Sequence, residues 1–164
     1  VLAVDGAVGA SRALVSVARG TALVHESDAS RDRALVRTPS ARGVLLPDRG
    51  ILVDAEGAAL LVRLEQPQQT KPVEWLVGCR VSDLDSAMFG GEFLVVAGCA
   101  VDGNYELRGA RGTPDNWRLL STLRLDSRAD RVSLARSTDS VRVAVVLGEK
   151  SVGYSLENDE WRAE

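Results

Sequence analysis

The chain has 164 residues, of which 45% are hydrophobic, 26% charged and 4% aromatic, and this length suits one ordinary domain. Twenty basic residues against 23 acidic residues give a net charge of −3, without the basic excess that is typical of nucleic-acid-binding proteins. The composition excludes a disordered polymer, and no apolar run approaches the ~20 residues of a membrane-spanning helix.

Short runs rich in Val, Leu and Ala recur along the chain and are separated by turn signals, whereas helical periodicity is nearly absent. The alternation in Val141–Val145 is typical of a strand with one solvent-exposed face. The pair Asp102-Gly103 suits a two-residue hairpin turn, because both central residues of such a turn need positive φ. The sequence therefore predicts an all-β chain of antiparallel strands with less than about a tenth helix.

Four units of roughly forty residues, each with four short strands, follow one another in this reading. Trp75, Trp117 and Trp161 support the register, because they are evenly spaced and each follows a polar stretch. We expect one repeat domain, with units 1–41, 42–85, 86–129 and 130–164, and the start at Val1 predicts a fragment of a longer protein. The predicted strands are 2–5, 13–18, 22–25 and 34–37; 43–46, 51–54, 59–64 and 75–81; 87–89, 93–101, 105–108 and 117–125; and 132–137, 141–147, 151–156 and 161–163.

Four-stranded antiparallel units of this length are the building blocks of β-propellers. The stretch Trp117–Leu123, followed by Arg131–Leu134 and Asp139–Ala144, resembles a degenerate WD40 or related bacterial propeller repeat. The resemblance covers units two to four, although the Gly-His and Trp-Asp pairs of WD40 repeats are missing. It implies a β-propeller-like fold; an antiparallel β-sandwich or two tandem sheet domains is the alternative architecture.

The three tryptophans are expected to be structural. A large ring at the same point of each repeat fills the space between neighbouring sheets. The recurrence of Trp75, Trp117 and Trp161 favours packing, since a binding site needs different residues in different repeats. A row of aromatic side chains along a ligand groove is the alternative.

Cys79 and Cys99 lie inside apolar strand-like runs. Neither a Cys-x-x-Cys pair nor a Cys/His cluster is present to bind zinc, and two cysteines do not make a disulfide framework in a chain of this length. We therefore expect both to be free core residues. This interpretation favours a reducing setting, with the protein intracellular and cytoplasmic.

No motif for catalysis is complete in this sequence. His25 is the sole histidine, and no Gly-x-Ser-x-Gly elbow singles out a serine nucleophile. Three carboxylate clusters lack the spacing of calcium loops, and we expect them in loops between strands. We predict no catalytic, cofactor-binding or metal-binding residues and no cofactor; whether the chain is an enzyme stays open, leaning to no. The three carboxylate clusters expected in loops are Asp83/Asp85, Asp126/Asp130 and Glu157/Asp159/Glu160.

The function predicted is a non-catalytic protein–protein interaction scaffold, because mixed charge on exposed loops suits a protein partner better than a polyanion. That partner is another protein or the remaining blades of the same protein, and self-association would also cover open ends; neither a membrane nor nucleic acid is expected. The alternative is a small-molecule or glycan-processing propeller enzyme with acidic funnel residues. The expected binding face carries loops 37–42, 82–86 and 126–131 and the turns at Glu56, Asp102 and Glu149, with Arg42, Asp126, Arg128, Asp130 and Arg131 as candidate partner-binding residues.

Overall fold

The structure is a computed structural model, and it describes residues 3–7, 10–17, 20–25, 33–36, 40–46, 49–63, 66, 69–137 and 140–164. In these residues, seventeen strands form four antiparallel sheets. Within the described residues the one helical element is a 3-10 helix, Glu74–Leu76. The prediction of an all-β chain of antiparallel four-stranded repeats is confirmed.

The chain divides into two compact units, Val1–Val77 and Gly78–Glu164. Each unit holds two of the four sheets, and every sheet contains a path of four strands hydrogen-bonded in sequence order. The single repeat domain expected above stays a prediction.

The first unit contains two four-stranded sheets, and its first sheet agrees with the predicted strands to within three residues. His25, the sole histidine, ends a strand, as the sequence suggested. In the second sheet, Ile51, Leu52 and Val53 are almost fully buried, which is why this Val/Leu/Ile run forms a central strand. The strands are β1 Ala3–Ala7, β2 Ala10–Val17, β3 Gly20–His25 and β4 Arg33–Val36, then β5 Ser40–Leu45, β6 Arg49–Asp54, β7 Ala59–Arg63 and β8 Thr70–Pro72.

The predicted strand 75–81 is wrong, because this run crosses from the end of one sheet to the start of the next. The fourth strand of the second sheet is β8, and Trp75 lies in the 3-10 helix that follows it. Gly78 then adopts a φ of +76°, a left-handed conformation that suits glycine and breaks an extended run. The next strand begins only at Arg80.

The third sheet, in the second unit, has the order β12-β11-β10-β9, and a fifth strand, β13, also pairs with β11. The predicted strand 117–125 is therefore two strands, because residues 120–122 leave the ladder and the Leu120 side chain is buried in the core. Residues 82–86, expected in a loop, lie inside β9. The strands are β9 Arg80–Phe89, β10 Glu92–Val101, β11 Asn104–Thr113, β12 Asn116–Leu119 and β13 Leu123–Leu125.

The fourth sheet has the order β14-β15-β16-β17 and matches the predicted strands closely. Val141, Val143 and Val145 are buried, whereas Arg142 and Ala144 between them are exposed. One face of this sheet is therefore core and the other is open to solvent. The strands are β14 Arg131–Arg136, β15 Val141–Leu147, β16 Lys150–Glu157 and β17 Glu160–Ala163.

The third and fourth sheets share one hydrophobic core and one polar seam. Leu94, Val96 and Leu107 pack in the same cluster as Val132, Val143 and Tyr154. At the seam, the edge strands β9 and β14 meet through carboxylates that accept hydrogen bonds from backbone N–H groups, which would otherwise be unpaired at a sheet edge. These bonds run from Val132 N to Asp83 Oδ2 and from Leu134 N to Asp85 Oδ2, each 2.8 Å.

Cys79 and Cys99 form a disulfide, so the expectation of two free core cysteines is wrong. Their Cα atoms are 5.4 Å apart, and both residues are buried. Both cysteines do lie in apolar surroundings, as expected, but the sequence does not show that antiparallel pairing brings residues 79 and 99 side by side. The argument for a reducing compartment loses its premise.

Candidate functional site

A groove of about 710 Å³ opens between the third and fourth sheets, at the end where the β16–β17 hairpin turns. Phe89 ends β9 and Leu156 lies near the end of β16, so the two supply apolar surface from both sheets. Arg111 of β11 and Arg118 of β12 pair across their ladder, so their side chains project from the same face of the third sheet. The groove is lined by Phe89, Arg111, Arg118, Leu156, Glu157, Asn158 and Asp159.

Both arginines of the groove are held by carboxylates. Arg111 Nε lies 2.7 Å from Glu92 Oε2, and Arg118 Nε lies 3.0 Å from Asp159 Oδ2. Longer contacts complete a four-membered ring of alternating charge: Arg111 Nη1 to Asp159 Oδ1 is 3.9 Å, and Arg118 Nη2 to Glu92 Oε2 is 4.0 Å. A network of this kind fixes long side chains more firmly than an isolated exposed pair does.

The β16–β17 turn delivers Asp159 to this ring. Asn158 and Asp159 have φ values of 49° and 64°, which a two-residue hairpin turn requires and which Asn and Asp tolerate well. Ser121, in the connection after β12, donates its N–H to the Asp159 carbonyl at 3.1 Å, and its Oγ accepts from Trp161 N at 3.3 Å. The hairpin of the fourth sheet is thus bonded to the third.

The chemistry of the groove is that of a polar rim around an apolar patch. The Arg111 guanidinium lies 5.4 Å from the centroid of the Phe89 ring, which is within the range of a cation–π contact. The two arginines are balanced by Glu92 and Asp159. Among the described residues no group of three or more His, Cys, Asp or Glu side chains could hold a metal ion.

The fold resembles that of known propeller proteins. The chain is similar to a CNH domain described as AfRom2, with a TM-score of 0.61, 11% identity, and coverage of 91% of this chain and 53% of that one. The WD40 domain of SCAP from fission yeast gives a TM-score of 0.57, 12% identity, and coverage of 94% and 40%. The fold is β-propeller-like.

A third similar chain belongs to an S. cerevisiae complex of a Dbp5 variant bound to Nup159, a Gle1 variant, IP6 and ADP, with a TM-score of 0.58, 10% identity, and coverage of 93% and 45%. The present chain thus spans about half or less of these propeller-like chains. No protein-family model matches it, and neither does a curated protein. No helix among the described residues is long and apolar enough to cross a membrane.

The predicted partner-binding residues of the second unit lie at the opposite strand ends from the groove. We call the third and fourth sheets the two blades of the second unit. Asp126 and Arg128 are exposed in the connection between these blades, and Arg131 begins β14. Asp130 Oδ2 accepts a hydrogen bond from Gly148 N at 3.0 Å, which brings this connection beside the β15–β16 turn.

Other parts of the predicted face are distributed differently. Arg124 Nη2 lies 3.1 Å from Asn104 Oδ1, so the turn at Asp102 belongs to the same end of the second unit. Arg42 is exposed but lies within β5 of the first unit, not in a loop. Residues 37–39 lie outside the described residues, and Ser82–Ser86 lie in β9.

Two of the three tryptophans occupy equivalent places. Trp117 and Trp161 are each the second residue of the outer strand of a blade, and both are half-buried. Trp161 packs against the core cluster shared by the two blades. Trp75 lies in the 3-10 helix, so the even spacing of the three residues does not reflect three equivalent positions.

The sequence singled out Glu157 and Asp159 as part of a carboxylate cluster, but not the two arginines or Glu92, although a signal for Arg118 is present. Each outer-strand tryptophan is followed by an arginine, Arg118 or Arg162. Because side chains alternate along a strand, Arg118 projects from the face opposite Trp117. Arg111 and Glu92 gave no such signal, since only the ladder pairing brings them to Arg118.

Proposed function

We propose that this chain is a non-catalytic protein-interaction scaffold and that its groove binds a short segment of a partner protein. One observation carries the proposal: Arg111 and Arg118 are held in place beside the apolar surface of Phe89 and Leu156 in an open groove. Arginine and aromatic side chains are enriched where protein interfaces gain most of their affinity. Ordering them before binding reduces the entropy that association costs.

The charge of the groove supports a polypeptide ligand. The arginines still offer N–H donors to backbone carbonyls or carboxylates, while Glu157 and Asn158 add acceptors to the rim. A partner with both signs of charge would therefore find complementary groups, whereas a polyanion would meet Glu157 and Asp159 as well. The volume of about 710 Å³ suits a few side chains.

The connection that carries Asp126, Arg128, Asp130 and Arg131 is a second candidate surface in the same proposal. Its exposed residues carry both signs, as expected of a surface that recognises a protein. A protein partner here, or further blades, would leave the groove free.

Capture of partners with purified chain and chemical cross-linking tests the proposal. If the groove binds, Arg118→Ala lowers recovery of the cross-linked partner at least tenfold, while the double variant Arg128→Glu/Arg131→Glu recovers it normally. The reverse result assigns binding to the Asp126–Arg131 connection. Arg142→Ala, which removes an arginine side chain from the solvent-exposed face of β15, is the matched control, and equal melting temperatures exclude unfolding.

Unchanged recovery by both variants contradicts binding at either surface. Turnover of chromogenic glycosides or esters by the wild-type chain would contradict a non-catalytic scaffold and favour the alternative of a propeller enzyme. That activity would have to survive purification to homogeneity and disappear on denaturation.

A further inference from the structure

We infer that this protein matures in an oxidising compartment, where Cys79 and Cys99 are joined, and not in the reducing cytosol. Cys79 immediately precedes β9 and Cys99 lies in β10, with Cα atoms 5.4 Å apart, within the range that a disulfide spans without backbone movement. Disulfides of this structural kind persist in oxidising compartments and are rare where thiols are kept reduced.

The position of the bond shows what it holds together. Cys99 of β10 lies opposite Val81 of β9, and the ladder shifts register between Gly98 and Cys99. Ser82 Oγ donates to the Gly98 carbonyl at 3.2 Å beside this irregularity. The disulfide therefore lies next to the interruption in the β9–β10 ladder, and it ties the residue just before β9 to β10, an inner strand of the third sheet.

Burial makes the bond structural and not a readily reversed switch. Cys79 and Cys99 are 7% and 3% exposed, so a thiolate cannot easily reach either sulfur in the folded chain, and thiol–disulfide exchange requires that access. Oxidation must then occur while β9 and β10 are still being assembled. No described His, Cys, Asp or Glu cluster offers these cysteines a metal ion instead.

The chemistry needs an oxidant of the disulfide class. One cysteine thiolate attacks one sulfur of the oxidant's disulfide, which forms a mixed disulfide and releases the oxidant's other sulfur as a thiolate. The second cysteine thiolate then attacks the cysteine sulfur of the mixed disulfide, which forms the Cys79–Cys99 bond and releases the oxidant's remaining sulfur. The chain loses two electrons and two protons as its S–S bond forms, and the oxidant is reduced to a dithiol. An oxidising compartment supplies this reagent, whereas the cytosol reduces it.

Differential alkylation, which measures the redox state of Cys79 and Cys99 in the cells that naturally produce the protein, tests the inference. Cells are quenched in acid, the full-length protein is unfolded, free thiols are blocked with light N-ethylmaleimide, and the sample is reduced and labelled with heavy N-ethylmaleimide. We expect mass spectrometry to find heavy label on at least nine-tenths of Cys79 and Cys99. A Cys99→Ser variant is the control, because its Cys79 must take the light label.

Light label on both cysteines of the wild-type protein overturns the inference, since the pair is then reduced in the cell. The result does not depend on partner binding or on catalysis, so the inference and the proposed scaffold function fail separately. Acid quenching excludes oxidation after lysis, and the Cys99→Ser control detects incomplete blocking.

Discussion

Trp161 packs against Gly109 of the neighbouring blade: its Cζ2 atom lies 3.2 Å from the position that a Cβ on residue 109 would take. The same position is 2.8 Å from Leu120 Cδ1. Gly153 is the equivalent residue in the fourth sheet, because the two glycines accept the same kind of hydrogen bond. Leu120 N donates to the Gly109 carbonyl, and Glu164 N donates to the Gly153 carbonyl. The missing side chain at Gly109 thus makes room for a tryptophan ring.

Replacing Gly109 by alanine should destabilise the protein by about 1–3 kcal/mol, because the added methyl overpacks the joint between the two blades. Gly153→Ala is the matched control, since its Cβ would meet only the side chain of Glu164, at 3.3 Å or more. Guanidinium unfolding measures both. Equal unfolding free energies for the two variants would contradict the packing argument.

Removing the Trp161 ring tests the same packing between the two blades. Trp161→Ala should lower the free energy of unfolding by about 3 kcal/mol, the low end for a tryptophan truncation, because the ring is half-buried. Trp161→Phe should recover part of that loss. If Trp161→Ala kept full stability but lost a captured partner, the aromatic residues would belong to a binding groove instead.

The seam between β9 and β14 predicts a specific role for Asp85. Asp85→Ala leaves the Leu134 N–H without its acceptor at 2.8 Å, which should lower stability by about 1–3 kcal/mol. Asp85→Asn keeps a carbonyl oxygen in place and should cost less. Amide hydrogen exchange at Leu134 should be faster in the alanine variant; exchange as slow as in the wild type would show that the N–H has another partner.

Reduction of the Cys79–Cys99 disulfide should lower the stability of the second unit. The bond joins residues that are 20 apart in sequence, and loop entropy alone makes such a crosslink worth about 3 kcal/mol. A reductant that acts on the unfolded chain should therefore shift the guanidinium midpoint downwards. The double variant Cys79→Ser/Cys99→Ser should unfold at the same midpoint with or without reductant, whereas an unchanged wild-type midpoint would contradict a stabilising bond.

Alkaline pH should destabilise the fold through Tyr154. Burial raises the pKa of its hydroxyl above 10.0, and the nearby Asp126 carboxylate adds to the rise. Because the folded-state pKa exceeds the unfolded value, the stability from neutral Tyr154 is complete below pH 10.0 and is lost as pH rises through the folded pKa.

Absorbance titration at alkaline pH, with Tyr154→Phe to isolate Tyr105, measures this shift. Tyr154→Phe should flatten the fall in stability above pH 10.0. Asp126→Asn should lower the apparent pKa only slightly, because burial is the larger cause. Ionisation of Tyr154 at or below its ordinary pKa would refute the prediction.

Much of the fold could be predicted because strand alternation and turn chemistry are local. The pair Asp102-Gly103 has φ values of 48° and 79°, as a two-residue hairpin turn requires. The run Val141–Leu147 is a strand whose alternate residues are buried. Trp75 misled the register because a 3-10 turn that joins two sheets contains the same apolar residues as a strand.

The candidate site could not be predicted, because Asp159 meets Arg111 and Arg118 only where the fourth sheet packs against the third. Glu92 and Asp159 belong to different blades, yet both carboxylates lie within 4.0 Å of the same two arginines. The disulfide depends in the same way on the offset pairing of β9 with β10. Turn geometry sets the register within a regular hairpin, but the local sequence does not show an irregular ladder or which residues of two packed sheets meet.

The solvent-exposed face of the last blade limits how such an array could grow by gene duplication or by design. Val96 lies opposite Gly109 in the third sheet, and Ala144 lies opposite Gly153, the equivalent glycine, in the fourth. Ala144 is therefore the counterpart of the buried Val96, and Arg142, two residues earlier, is the counterpart of the buried Leu94. Arg142 Nε is 2.9 Å from Glu164 Oε1, and Glu164 stands where the preceding blade has Leu120. A copied repeat stacked on this face would strip water from that ion pair, and the loss of hydration can exceed the attraction that the pair regains. A further blade should therefore pack on this face more favourably when residues 142 and 164 are apolar.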